Sequence, residues 1–149
     1  MSQACKTCNG LGAINTQSGV QGCPVCSGSG EQFDPGLQFM YEFGPQALTA
    51  NQTLSSLTVQ ILDHSFKWMF AVFVSTGLFT VRISDAMAKR PFMNQQVLVT
   101  NFFGTAQNPM PLLTPFIFRQ RSSILIDLTD ISGAGNTVRL GFIGVELND

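Results

Sequence analysis

Phe79-Thr80-Val81-Arg82-Ile83 alternates apolar and polar residues without a break, and Ile124, Ile126 and Leu128 alternate in the same way with Asp127 and Thr129. Successive side chains of an extended chain point to opposite faces, so each stretch predicts a strand with one buried face and one wet face. Between residues 66 and 74 the pattern changes. Phe66, Trp68, Phe70, Val72 and Val74 share one parity and Met69, Ala71 and Phe73 the other, which predicts a strand apolar on both faces. Such a strand is either central in a packed sandwich or turned toward a partner.

The segments around these three strands extend the same reading. Leu54, Leu57, Val59 and Ile61 predict a strand ending near Asp63-His64, and Val97-Leu98-Val99 and Leu112–Phe118 predict two more. Thr76-Gly77, Lys89-Arg90-Pro91 and Gly133-Ala134-Gly135-Asn136 are turn signals, and 102–109 is a long irregular link. In the last strand, Thr137 to Leu147, the parity of Val138, Leu140 and Phe142 gives way to that of Ile143, Val145 and Leu147. Gly141 and Gly144 flank that switch, which predicts a bulge. Thr49–Leu57 is the one segment with any helical character. Residues 53–149 are therefore expected to be an all-β domain, an antiparallel β-sandwich of jelly-roll type.

Upstream the character of the chain is different. Leu37, Phe39, Tyr41 and Phe43 alternate with Gln38, Met40 and Glu42, so 34–52 is expected to be an extended arm or linker containing a short strand. Residues 1–33 have only Leu11, Ile14, Val20 and Val25 as sizeable aliphatic side chains, too few for a core of their own. They do contain one phrase twice: Cys5-Lys6-Thr7-Cys8-Asn9-Gly10-Leu11-Gly12 and Cys23-Pro24-Val25-Cys26-Ser27-Gly28-Ser29-Gly30, each CxxCxGxG, together holding all 4 cysteines of the chain. Two CxxC knuckles supply four thiolates, so Cys5, Cys8, Cys23 and Cys26 are expected to hold one structural Zn2+ per chain. The metal would staple a segment that cannot fold unaided. Four thiolates close the coordination sphere and leave no position for a catalytic water. An iron–sulfur cluster also fits four thiolates, but the glycine turns favour zinc. A redox-active CxxC would need a βαβ setting that is not visible here.

Composition narrows the function classes. Charged residues make up 11% of the 149, less than half the usual share, while hydrophobic residues make up 44%. A lone chain with so few charges is weakly protected against association, so part of its surface is expected to be covered by partner chains. A net charge of -1 without a basic stripe argues against nucleic acid as a partner. No export signal and no membrane-length apolar run is visible, and paired cysteines suit a reducing cytoplasm.

Other candidate residues have simpler structural roles. His64 is the single histidine and adjoins Asp63, but neighbours in a strand face opposite ways, so a surface or turn histidine is expected. No nucleophile elbow and no spare cysteine is present. Asp85, Asp127 and Asp130 are expected to cap turns or be solvated, with a paired acid–base role as the alternative. Arg119 and Arg121 flank a turn, where they contact a partner or snorkel. The 13 phenylalanines are mostly core, and any surplus points to an intersubunit surface.

The two CxxCxGxG phrases resemble half of the cysteine-rich region of DnaJ-type co-chaperones. That resemblance implies zinc ligation by Cys5, Cys8, Cys23 and Cys26 and nothing more, because the J-domain signature is absent. The remaining two-thirds resembles small β-sandwich virion proteins of tailed bacteriophages. The likeness rests on Phe79–Asp85, on Arg90-Pro91-Phe92-Met93-Asn94, on the 103–112 stretch and on Asn136-Thr137-Val138-Arg139-Leu140 with Gly144-Val145-Glu146-Leu147. It implies a non-enzymatic virion structural protein made in the host cytoplasm, a capsid decoration or cement subunit. Such a subunit would form a homo-oligomer, for instance a trimer, and bind the major capsid or another virion protein, with no nucleic-acid or membrane partner. A head–tail connector, tail or receptor-binding component is the alternative within that class. A ligand-binding β-sandwich module, or an enzyme without a visible signature, is the alternative outside it.

Overall fold

The computed structural model describes residues 37–148 with side chains and, as backbone, Ser2–Ala4, Ala13–Thr16, Gly19–Gly22 and Glu31–Phe33. Backbone contacts divide the chain into two units, the first ending at Gly36 and the second running from Leu37 to Leu147.

The first unit contains two short antiparallel ladders. Strand β1 (Ser2–Ala4) pairs with β4 (Glu31–Phe33), and β2 (Ala13–Thr16) pairs with β3 (Gly19–Gly22). Sequence order makes them nested, with the inner hairpin β2–β3 enclosed by the outer pair.

The second unit is all-β, two antiparallel sheets with one 3-10 turn, Val99–Asn101, and no α-helix among the described residues. One sheet holds β6 (Thr53–Gln60), β8 (Phe79–Asp85), β10 (Val97–Leu98) and β12 (Ser123–Asp130) in the order β10-β8-β12-β6, with the two-residue β9 (Arg90–Pro91) also on β8. The other holds β5 (Leu37–Leu48), β7 (Phe66–Ser75), β11 (Met110–Phe118) and β13 (Asn136–Glu146) in the order β11-β7-β13-β5. The stretch read from sequence as an arm thus contains β5, paired with β13 from Leu37 to Leu48. Residues 49–52 form a hydrogen-bonded turn, closed by Gln52 N–H donating to the Thr49 carbonyl at 3.1 Å, and β6 follows directly.

Period-two patterning sets which side chains go inside. In β8, Phe79, Val81, Ile83 and Asp85 are buried, and in β12, Ile124, Ile126, Leu128 and Asp130. These apolar residues share one buried cluster with Tyr41, Phe66, Trp68, Ala71, Phe118, Val138, Leu140 and Phe142 of the other sheet. Trp68 is its centre, with ring centroids 5.1 Å from Phe142, 5.3 Å from Phe92, 5.8 Å from Phe102 and 6.0 Å from Phe118. Its indole N–H donates to the Phe70 carbonyl at 2.8 Å, so the one polar atom of the ring enters the core satisfied.

Strand β7 departs from the sequence reading. Ile143 of β13 pairs with Phe70 and Gly144 with Trp68, which leaves Met69 as an extra residue. A one-residue insertion inverts every side chain beyond it. Phe66 and Trp68 point into the core as expected. Beyond Met69 it is Ala71 and Phe73 that reach the core, while Phe70 and Val74 are turned outward. The bulge expected in β13 is therefore in its neighbour: β13 keeps Val138, Leu140, Phe142 and Gly144 buried on one parity, and Ile143 and Val145 lie on the opposite face.

Candidate functional site

Cys5, Cys8, Cys23 and Cys26 lie outside the described residues. The ladders that flank them are described. Ala4, just before the first phrase, pairs with Glu31, just after the second, and Ala13, just after the first, pairs with Gly22, just before the second. Directly paired antiparallel residues have Cα atoms roughly 5 Å apart. The residues that border the two eight-residue phrases in sequence are therefore paired with each other, Ala4 with Glu31 and Ala13 with Gly22. Among the described residues, no cluster of three or more His, Cys, Asp or Glu is placed to hold a metal.

The carboxylates have structural work. Asp130 is 1% exposed and joins three turns. Its Oδ1 accepts the Ser132 hydroxyl at 2.6 Å, the Ser132 N–H at 3.1 Å and the Asn136 amide at 3.1 Å. Its Oδ2 accepts the N–H groups of Asn51 at 2.9 Å and Gly133 at 3.1 Å. The Ser132 hydroxyl first, then the Asn51 N–H and the Asn136 amide, hold its carboxyl well below the usual carboxylate range against the opposing effect of burial. Asn136, itself buried, extends the knot to the β7–β8 turn, donating to the Gly77 carbonyl at 2.9 Å and accepting the Gly77 N–H at 3.0 Å.

Asp127 caps a bulge. The β12–β6 register shifts between Ile126 and Leu128, Ser56 takes a φ of 57°, and its N–H donates to Asp127 Oδ1 at 2.8 Å. Asp85 accepts the Met87 N–H at 3.1 Å in the turn after β8. In the β8–β12 ladder Asp85 is opposite Ile124 and Asp130 is opposite Phe79, six residues away along each strand. That is about 20 Å, too far for the two to act as one acid–base pair. His64 is exposed in the bend between β6 and β7, and the neighbouring Asp63 forms a 3.5 Å ion pair with Arg121, both largely in solvent. The structure does bring Asp85 and Arg119 together, on a cleft of ≈ 360 Å³ shared with Met87, Ala88, Phe116 and Ile117.

Two surface features were not foreseen in the sequence. On β11 the register breaks between Pro111 and Phe116, and the loosened chain carries Leu113 fully into solvent, at 106% relative exposure. Beside it is an apolar groove of ≈ 300 Å³ lined by Phe92, Phe102, Met110, Pro111 and Leu112 among others. The second feature is the outer face of the β11-β7-β13-β5 sheet. Met40, Ile143, Phe70 and Pro111 stand directly across from one another on all four strands, forming one continuous apolar row. A side chain at Gly141 would collide with Met40 and Val72, which close over it and flatten the face beside the row. From residue 37 onward every phenylalanine except Phe70 belongs to the core or packs against it, so Phe70 is the aromatic surplus there. Two prolines in a strand were the available signal for a broken edge at β11. For the apolar row the signal was the apolar character of β7 on both parities, and the insertion at Met69 decides that Phe70 is the residue standing there.

No protein-family model, curated protein or solved structure matches the chain.

Proposed function

We propose that the chain is a non-enzymatic virion structural protein, a capsid decoration or cement subunit that binds the shell and copies of itself. We read its two sheets as the layers of a jelly-roll sandwich. The strand orders β5-β13-β7-β11 and β6-β12-β8-β10, with one shared core, support that architecture, which recurs in capsid domains. The observation carrying the functional reading is the apolar row on an exposed sheet face, in a chain with only 11% charged residues. Contiguous exposed apolar side chains on a sheet face are the kind of surface that serves as an interaction site. Localisation in the virion, after synthesis in the host cytoplasm, belongs to the same reading.

The N-terminal unit is proposed as a zinc clip, one ion held by Cys5, Cys8, Cys23 and Cys26, and the nested ladders support that assignment. Elemental analysis is expected to find about one zinc per chain. A Cys23→Ser variant that keeps its full zinc content would rule out the four-thiolate site. For the assembly reading, size exclusion with light scattering on the full chain should show an oligomer at high concentration. A monomer throughout would overturn it. The cleft at Asp85, Phe116 and Arg119 favours one second reading, a small-ligand module, which binding to a glycan panel abolished by Arg119→Ala would support.

A further inference from the structure

We infer that the outer face of the β11-β7-β13-β5 sheet packs on the same face of a second copy, about a two-fold axis in the plane of the contact passing over Ile143. This rests on the self-association proposed above and assigns it a surface and a geometry.

The middle of the face is built of three cross-strand rows on β7, β13 and β5, with Val74–Arg139 as the next row beyond them. They read Lys67–Val145–Gln38, then Phe70–Ile143–Met40, then Val72–Gly141–Glu42. The middle row is wholly apolar, with Phe70 at 36% and Met40 at 46% exposure. Lys67 lies on one side of that row and on β7, while Glu42 lies on the other side and on β5. The two charges therefore occupy opposite corners of a patch centred on Ile143.

An isologous contact is self-complementary, so residue i meets j whenever j meets i. A two-fold perpendicular to the Lys67–Glu42 diagonal sets each Lys67 against the partner's Glu42. It lays Ile143 on its own counterpart and crosses the apolar rows between the two ion pairs. The strands of the two sheets then cross steeply, the orthogonal mode of sheet packing. Glu42 also has Arg139 at 3.7 Å on its own chain, with both side chains about half exposed, so it remains available from above. A partner of any other kind imposes no relation between Lys67 and Glu42 of one chain, and this relation is what singles out a second copy.

The test is a charge exchange on the full chain, followed by sedimentation velocity over a concentration series. Lys67→Glu and Glu42→Lys each place like charges opposite one another twice per dimer, and each is expected to raise the dimer Kd about a hundredfold. The double variant, Lys67→Glu with Glu42→Lys, is expected to return to within about threefold of the parent, because the pairing is restored with inverted sign. Thermal unfolding at a concentration where the parent is monomeric, unchanged across all three, excludes misfolding. A double variant no better than the singles overturns the two-fold. Single variants that still associate like the parent overturn the surface while leaving self-association intact. A parent chain that is monomeric at every concentration removes self-association itself. Loss of binding to another virion protein, with self-association unaffected, assigns the face to that protein and overturns the inference.

Discussion

The outer faces of the two sheets are built on the same strand periodicity and differ in composition. On the β6-β12-β8 side, the cross-strand rows are Thr53–Thr129–Thr80, Thr58–Leu125–Ser84 and the pair Asp127–Arg82. Hydroxyls and amides there bond to one another, Thr53 to Thr129 at 3.0 Å, Thr80 to Gln96 at 2.8 Å and Ser123 to Gln60 at 3.0 Å. On the β5-β13-β7-β11 side the matching row is Met40–Ile143–Phe70–Pro111. Alternation decides which residues leave the core, but it does not decide what they meet outside. Composition of the outward set carries that information, and here it separates a polar face from an apolar one, the face proposed above to meet protein.

The largest expected effect lies in what the two sheets share. Trp68→Ala removes the ring that touches Phe92, Phe102, Phe118 and Phe142, and should cost about 3–5 kcal/mol in urea unfolding. Because that core belongs to both faces, the loss should accompany weaker association as well as lower stability. A variant that unfolded like the parent would contradict the assignment of Trp68 as the core's centre.

Next comes acid. The Asp130 carboxyl is held below its ordinary value of 3.8, so the stability it adds is present above that pH and is lost as pH falls from there toward the lower folded value. Thermal midpoints should drop steeply below about pH 4 in the parent. In Asp130→Asn they should already be lower at pH 7 and should fall less on acidification. This knot joins the turns around Asn51, Gly77 and Ser132, so an equally steep acid loss in the variant would locate the pH sensitivity elsewhere.

Much of this architecture was legible in the residues. Phe79–Ile83 and Ile124–Leu128 alternate in the sequence and alternate in burial, because a strand paired on both sides keeps its register. Asp85, Asp127 and Asp130 cap turns or a bulge, as their positions at strand ends and on polar faces had suggested. What was not legible depended on insertions and on distant partners. The extra residue at Met69 inverts β7, and no local signal distinguishes a bulged Met69 from an ordinary one. The donors to Asp130 include Asn51, remote in sequence, which only the closed fold brings near. The short alternating run at 37–43 looked like a connector, because the partner that makes it a strand is the last one in the chain.

A paired substitution sharpens the contrast between faces at smaller cost in stability. Phe70→Asp and Leu125→Asp each put a carboxylate on the outward side of a central strand, one on the apolar face and one on the polar face. Each should change unfolding free energy by less than about 1 kcal/mol, since neither side chain is in the core. Light scattering should show association lost for Phe70→Asp and kept for Leu125→Asp. The reverse result would transfer the protein-facing role to the other sheet.

The smallest effect concerns an ion pair on the apolar face, Arg139 with Glu42 at 3.7 Å. Both side chains are about half exposed, so water and salt screen the attraction and holding two long chains in register offsets what is left. Arg139→Ala should therefore alter unfolding free energy by less than about 0.5 kcal/mol in the monomeric state. Its consequence should lie in association. Removing Arg139 frees Glu42 from its own chain, so a contact in which Glu42 meets the partner's Lys67 should hold or tighten in sedimentation runs at low salt. If association weakened instead, Arg139 would itself be a contact residue. The charge on this face would then be arranged around β13 and not along the Lys67–Glu42 diagonal.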